Sequence, residues 1–335
     1  MRERDRLHRL IDSFRGCRVL LYGDLVLDRF ILGSPKRISR EAPVLILRFE
    51  EQKDVPGGGA NAMANMLSLG AQVVAVGVVG DDEQGQVLRE TLRQRGGDVS
   101  QVVVVPGFRT VTKVRILAGG PSALKHQVAR YDIEDNVGNG KLRDQLMAAL
   151  TALAPTVQAA AVSDYGYGAV FPEGVQALRR SLPAGALAVA DSRFALPSLG
   201  PVDGATPNLE ELSAHAGQFP QTDRQVAEAA ESLRRKLRAR FVVATRGSQG
   251  LTLVEQGMPP YHLPVYGTDQ VADVTGAGDT VLATLTLTLA AGGTPRQAAL
   301  LANLAGGIVV MKAGTATVSA EELHAAVDAA PFIHD

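Results

Sequence analysis

Short runs of β-branched and other apolar residues alternate along the chain with longer segments in which apolar residues return every third or fourth position. The runs at 18–22, 73–79, 159–163, 187–190 and 241–245 read as parallel strands buried on both faces. The segments at 60–69, 84–95, 141–153, 174–182 and 223–238 carry the spacing of helices that cover such a sheet. This succession predicts an α/β fold, a doubly wound and mostly parallel sheet flanked by helices, in one domain over 1–335.

Three stretches break the rhythm. Residues 44–49, 110–117 and 126–133 alternate apolar with polar side chains and are not followed by crossover helices, so they read as strands of a small antiparallel sheet. We expect this sheet, built from roughly 30–50, 110–117 and 126–133, to be set apart from the core as a β lid. The alternative is a plain extension of the main sheet. A small sheet with one apolar face must cover a ligand, the main domain or a second copy of itself, which makes a homodimer through the lid an expectation.

Composition acts mainly by exclusion. A length of 335 residues with 46% hydrophobic content supplies a sizeable core, and a formal charge of −1 provides no general field for nucleic acid or an anionic membrane. Any grip on phosphate must therefore be local. Cys17 is the only cysteine, so an internal disulfide and a cysteine-based metal site are ruled out, and a reducing cytoplasm suits the chain. The arginine-rich start contains no secretory pattern, and no run of about eighteen apolar residues lacks interrupting glycines; a soluble protein is expected. The histidines, His8, His126, His215, His262, His324 and His334, show no metal-ligand spacing, and none is assigned to zinc. Neither a G-x-S-x-G elbow, a Walker P-loop nor a G-x-G-x-x-G fingerprint occurs, which disfavours the corresponding hydrolases and nucleotide enzymes.

The segment from Val271 to Thr280 brings Gly276, Ala277, Gly278 and Asp279 to the head of a long apolar helix. Helix N-termini carry unpaired N–H groups and the positive end of the dipole, so small residues there let a phosphate sit on the backbone. Asp279 stands just inside that anion hole; the plainer reading is a helix cap, but glycines cost helix stability without improving a cap. Earlier, Gly57, Gly58 and Gly59 precede Asn61 at the start of a helix, where backbone can approach a ligand and Asn61 can both donate and accept; a flexible turn is the alternative. Asp24 and Asp28 follow the first strand, the end at which α/β sheets bind ligands, and suit sugar hydroxyls, although either can cap the next segment. Asn208 and Glu211 lie one turn apart at a helix start, a pattern that serves Mg²⁺ through water or a capping box equally well. Thr245 and Gly247 sit at a strand end that can carry nucleotide phosphates, as can an ordinary hairpin turn.

In this order, the early Gly-Gly-x-x-Asn segment and the late Gly-Ala-Gly-Asp segment resemble the PfkB, ribokinase-like family of carbohydrate kinases, over nearly the whole chain. Within it, Gly23–Arg29 (GDLVLDR), 37–44 (RISREAPV), Ser163-Asp164-Tyr165, Thr206-Pro207-Asn208-Leu209, 273–280 (DVTGAGDT) and 312–319 (KAGTATVS) look most like the kinases acting on D-glycero-β-D-manno-heptose 7-phosphate. The resemblance implies an ATP-dependent kinase in which Asp279 is the catalytic base and Gly276, Ala277 and Gly278 form the anion hole. It implies sugar contacts at Gly57, Gly58, Asn61 and Asp24 or Asp28, and ATP contacts at Asn208, Thr245, Gly247, Gly250 and Asn303. Glu211 is then associated with Mg²⁺, and Asp273 lies near a K⁺ site.

An acceptor that already bears phosphate needs cations, for which Lys36, Arg37, Arg40, Arg109, Lys113, Arg115, Arg130 and Arg193 are candidates, Arg37 and Arg130 foremost. Two departures concern the acceptor rather than phosphotransfer: where heptose phosphate kinases commonly carry Lys, this chain has Tyr167 and Arg193. Other PfkB-type substrates, namely fructose 1-phosphate, ketodeoxygluconate, ribose or a nucleoside, fit the same phosphotransfer elements, and a non-catalytic sugar-binding regulator is the remaining alternative. With no adenylyltransferase segment before Asp335, a stand-alone kinase is expected.

Overall fold

The computed structural model describes residues 2–120, 125–138, 140–267 and 272–333. Val271, which opens the late motif, lies outside the described residues, as does His334. In chain order the elements are α1 (Glu3–Ser13), β1 (Arg18–Gly23), β2 (Leu25–Ile38), β3 (Leu45–Gly58), α2 (Gly59–Ser68), β4 (Gln72–Gly80), α3 (Glu83–Gln94), β5 (Asp98–Val105), β6 (Thr112–Ala118), β7 (His126–Ile133), α4 (Lys141–Leu153) and β8 (Ala159–Asp164). They continue with α5 (Pro172–Ser181), β9 (Leu187–Ser192), β10 (Gly204–Ala205), α6 (Leu209–Ala216), α7 (Asp223–Leu237), β11 (Phe241–Thr245), β12 (Leu251–Glu255), β13 (Tyr261–Leu263), α8 (Ala277–Ala290), α9 (Pro295–Val310) and α10 (Ala320–Ala329).

Nine strands form the main sheet in the order β13-β12-β11-β10-β9-β8-β1-β4-β5. Pairing is parallel from β11 through to β5, and β12 and β13 add antiparallel strands at one edge. β1 has β4 on one side and β8 on the other, so the chain winds outward from β1 in both directions. The carboxyl ends beside that reversal form the crevice where open α/β sheets take ligands. Asp24 follows β1 there, and Asp164 ends β8.

Side chains pack on both faces of this sheet, with Leu7, Phe14, Met63, Met66 and Leu285 in one layer and Leu146, Val175, Leu178 and Leu233 in the other. Burial of each such side chain contributes about 1.5–3 kcal/mol before entropy is counted, so the layers hold the strand ends in fixed relation. Local chemistry agrees with the helix starts: Asp82 caps α3 by accepting from Gly85 N–H at 2.8 Å, and Thr222–Gln225, Thr294–Gln297 and Ser319–Glu322 form capping boxes. Helix α8 is buried all round from Asp279 to Leu289, which makes it a rigid mount. No described helix is long and apolar enough to cross a membrane.

A separate four-stranded sheet, ordered β3-β2-β6-β7, makes the lid and displaces the alternative of a longer main sheet. Its outer pairs are antiparallel, while the middle pair, β2 with β6, is parallel. The β2 and β3 strands, 14 residues each, extend well past the alternating 44–49 stretch and bring the root of the lid into the core. Cross-strand register places Asp28, Lys113 and Asp132 in one row, and Phe30, Arg115 and Arg130 in the next. Strand side chains alternate between faces, so these two rows share one face of the lid.

Candidate active site

Helix α8 begins at Ala277, with Gly276 as its N-cap at φ 82°, a left-handed conformation that disfavours any side chain. A Cβ on Gly276 would also stand 2.4 Å from Asn61 Nδ2. Among the described residues nothing accepts a hydrogen bond from the N–H groups of Gly278 and Asp279, and Gly278 faces open space. Two free amides at the positive end of a buried helix constitute an anion hole.

Asp279, on the first turn, is 2% exposed. Its Oδ2 accepts from Asn61 Nδ2 at 3.0 Å, and its Oδ1 accepts from the Tyr165 hydroxyl at 2.8 Å. Burial pushes its carboxyl up to about 7, against the opposing pull of those two donors and Lys113. A carboxylate so poised can take a proton near neutral pH, which is what a general base requires. Asn61 lies on α2 directly behind Gly57 and Gly58; the latter, at φ 53°, is the N-cap of that helix.

Asp28 faces the same space from the lid root. Its carboxylate accepts from Arg115 at 2.6 Å and from the Thr315 hydroxyl at 3.1 Å. A Cβ on Gly57 would come within 2.6 Å of Asp28 Oδ2, so that glycine makes room for the carboxylate. Lys113 is 7% exposed, with its ammonium 4.8 Å from the Tyr165 ring centre. Burial lowers the Lys113 pKa from its ordinary value, and Asp28 opposes that shift. The fields of Arg130 and Arg193 also reach Lys113.

Asp24 is placed differently from what its position after β1 suggested. Its carboxylate accepts three backbone N–H groups, from Tyr165 at 2.8 Å, Tyr167 at 3.1 Å and Ala169 at 3.1 Å. Asp24 thereby pins the loop after β8, and Asp28 is the aspartate of the pair that stays with Asp279. Burial, reinforced by Asp164, holds the Asp24 carboxyl up at about 6 in spite of those three donors.

Of the basic candidates, Lys113 and Arg115 reach the site directly. Arg130 lies on the same lid face, paired with Asp132 at 2.6 Å, and Arg193 stacks on Phe194. Arg109 is spent on the Glu134 carbonyl. Arg37, with Lys36, sits exposed near the far end of β2, nine residues along the strand from Asp28. Arg40 lies beyond it. Tyr165, to which the sequence assigned no role, stands against Asp279.

On the nucleotide side, Asn208 and Glu211 form the capping box. Asn208 Oδ1 accepts from Glu211 N–H, while Glu211 accepts from the Asn208 N–H and Nδ2, all at 2.9 Å. Burial raises the Glu211 carboxyl, and that of Asp191 is raised well above the usual range by burial and by the Glu211 charge. Thr245 ends β11 and bridges to Asn208, so the two lie side by side. Gly247 (φ 55°) and Gly250 (φ 82°) shape the turn that follows. Asn303, on α9, donates to the Pro264 carbonyl at 2.8 Å. Asp273 accepts from Thr275 N–H, and its own N–H donates to the Val310 carbonyl at the end of α9. Among the described residues no cluster of three or more His, Cys, Asp or Glu is arranged to hold a metal ion.

This arrangement has counterparts in known proteins. The chain is 39% identical over 332 residues to the bifunctional protein HldE of Caulobacter vibrioides, covering 97% of this chain and 66% of that protein. The HldE of Paramagnetospirillum magneticum is 37% identical over 328 residues, at 96% and 66% coverage. The chain thus spans just under two thirds of the length of these relatives. In fold it resembles phosphofructokinase-2 from Escherichia coli (TM-score 0.75, 19% identity, 93% and 99% of the two chains). It also resembles Arabidopsis thaliana ribokinase, solved with ribose and ATP (TM-score 0.73, 18% identity, 93% and 98%). The fold is ribokinase-like, residues 18–135 and 190–323 match the pfkB family carbohydrate kinase pattern, and the chain belongs to the pfkB family of carbohydrate kinases.

Proposed function

We propose that the chain transfers the γ-phosphate of ATP to a hydroxyl of a sugar phosphate, with D-glycero-β-D-manno-heptose 7-phosphate as acceptor and the 1,7-bisphosphate as product. The observation that carries the phosphotransfer reading is Asp279, buried at about pKa 7 beside two unpartnered helix amides. The acceptor reading rests on the resemblance of the chain's segments to heptose 7-phosphate kinases, on its likeness to HldE, which carries such a domain, and on the cationic lid face.

Phosphoryl transfer is largely a matter of positioning and charge neutralisation. In this reading Asn61 and Tyr165 orient Asp279, which takes the acceptor proton. The Gly278 and Asp279 amides neutralise charge on the moving phosphoryl oxygens. Asp28 accepts from sugar hydroxyls, Gly57 and Gly58 let the sugar lie close to the backbone, and Lys113, Arg115 and Arg130 face its phosphate. Thr245, Gly247 and Gly250 border the nucleotide phosphates, and Asn303 closes the adenine side.

Asn208 and Glu211, bonded to each other, would hold Mg²⁺ through water rather than directly. When bound, that ion supplies charge neutralisation between the nucleotide phosphates. Asp273, shortly before helix α8, would be the neighbour of a K⁺ ion in this reading. The lid's exposed Ile38, Val44, Phe49, Val128 and Tyr131 suit a homodimer, and the single cysteine suits a cytoplasmic location.

The test is ATP consumption across a panel of heptose 7-phosphate, fructose 1-phosphate, ketodeoxygluconate, ribose and a nucleoside. Heptose 7-phosphate should give the highest kcat/KM, and comparable efficiency on unphosphorylated sugars would remove the acceptor assignment.

A further inference from the structure

We propose that Tyr165 is a positioning residue for the base, and that the loop pinned by Asp24 is the device that puts it there. This rests on the reading of Asp279 as the base. Tyr165 directly follows β8, so without restraint its side chain would be carried by a loop. Three features restrain it. The Asp24 carboxylate takes the N–H groups of Tyr165, Tyr167 and Ala169 together. Gly166 (φ 83°) and Gly168 (φ 87°) then allow the backbone to curl around that carboxylate. Finally, the absent side chain at Gly58 leaves space for the ring, since a Cβ there would lie 3.3 Å from it.

The result is a phenol aimed at Asp279 Oδ1 at 2.8 Å, with Asn61 on Oδ2 at 3.0 Å. Both donors favour the ionised carboxylate, so each works against the burial that tends to keep the base protonated. The Lys113 ammonium, 4.8 Å from the ring centre, draws electron density from the phenol and makes its O–H a better donor. Burial and the Asp279 charge push the Tyr165 hydroxyl well above its ordinary range, so it remains protonated and donates throughout the working pH range. Tyr165 therefore keeps its proton and sets the pH at which Asp279 becomes able to accept one.

The experiment compares pH–rate profiles of wild type, Tyr165→Phe and a protein with 3-fluorotyrosine placed at Tyr165, with Asp279→Asn alongside. Loss of the donor should move the acid limb of kcat/KM up by about one pH unit. It should leave the acceptor KM within about twofold, and turnover above the limb should be close to wild type. The fluorinated phenol keeps the shape and donates more strongly, so it should move the limb the other way, and it decides the matter if Tyr165→Phe fails to fold. An unmoved limb in both proteins, or a raised acceptor KM with an unmoved limb, overturns the inference while an inactive Asp279→Asn leaves the base assignment standing. An Asp279→Asn protein as active as wild type overturns the base assignment instead, and Tyr165 falls with it.

Discussion

In the main sheet the strands below the crevice are apolar on both faces and covered by helices, and Asp279 rides on a helix with no solvent-facing side. In the lid, Asp28, Lys113, Arg115, Arg130 and Asp132 share one face, and apolar side chains such as Ile38 and Phe49 remain exposed towards its far end. The difference separates two tasks. On the proposed reading, chemistry sits where packing allows least displacement, and recognition charges sit on the sheet with the least packing of its own. The lid root is the exception, because Leu27, Asp28, Val55 and Gly57 are buried and join the two regions.

The largest expected effect tests the main-sheet half of that division. Asp279→Asn should lower kcat by at least about a hundredfold with acceptor KM nearly unchanged, measured by steady-state kinetics; equal turnover would break the division. On the lid side, Arg115→Ala strips Asp28 of its cation, and Lys113→Met removes a charge facing the acceptor. Each should raise acceptor KM by about tenfold or more, with a smaller fall in kcat, and an unchanged KM would deny the lid its recognition role.

A pH series sharpens the contrast. Because Asp279 sits at about 7, wild-type activity should fall as pH drops below neutrality, when the base becomes protonated. Its folded pKa is raised, so its contribution to stability is complete in acid and is lost as pH rises through about 7. Asp279→Asn should therefore gain in melting temperature relative to wild type as pH rises from about 4 to about 7 and hold that gain above it, and a constant difference from pH 4 to 7 would contradict the sign. Next, Phe49→Glu should weaken self-association in sedimentation without touching kcat. Smallest of all, Asn208→Ala should cost about 1 kcal/mol of stability through the lost cap, seen as a few degrees in thermal melting.

Much of the main sheet was legible because its strands are nearly continuous apolar runs and its helices keep a 3.6-residue period; residues 141–153 and 241–245 coincide with α4 and β11. Less legible were β2 and β3. Gly33 and Pro35 interrupt β2, and the Glu50–Asp54 stretch of β3 is polar throughout, so neither shows the alternation of a half-buried strand. Strands β5, β12 and β13, at or next to the sheet edges, were passed over, being short or followed by loops rather than by strong helical patterns. At the site, glycines and a carboxylate marked a helix start, and α8 begins there with Gly276 as its cap. The choice between Asp24 and Asp28 was not readable, because it depends on which carboxylate meets three amides from a loop about 140 residues later. Tyr165 was hidden for the same reason, as its partner Asp279 is 114 positions away. For Arg37, spacing in sequence shows no direction: a strand advances about 3.3 Å per residue, and β2 carries Arg37 nine residues on from Asp28.

Strand β3 runs into helix α2 without an intervening loop: Gly58 is both the last residue of the lid strand and the cap of the helix, and Asn61 follows on its first turn. The lid strand and Asn61 are therefore joined by a covalent lever only three residues long, and Asn61 in turn donates to Asp279. Any tilt of the hairpin about its root would be delivered to the amide that grips Asp279, so a change at the lid would be felt at that carboxylate oxygen.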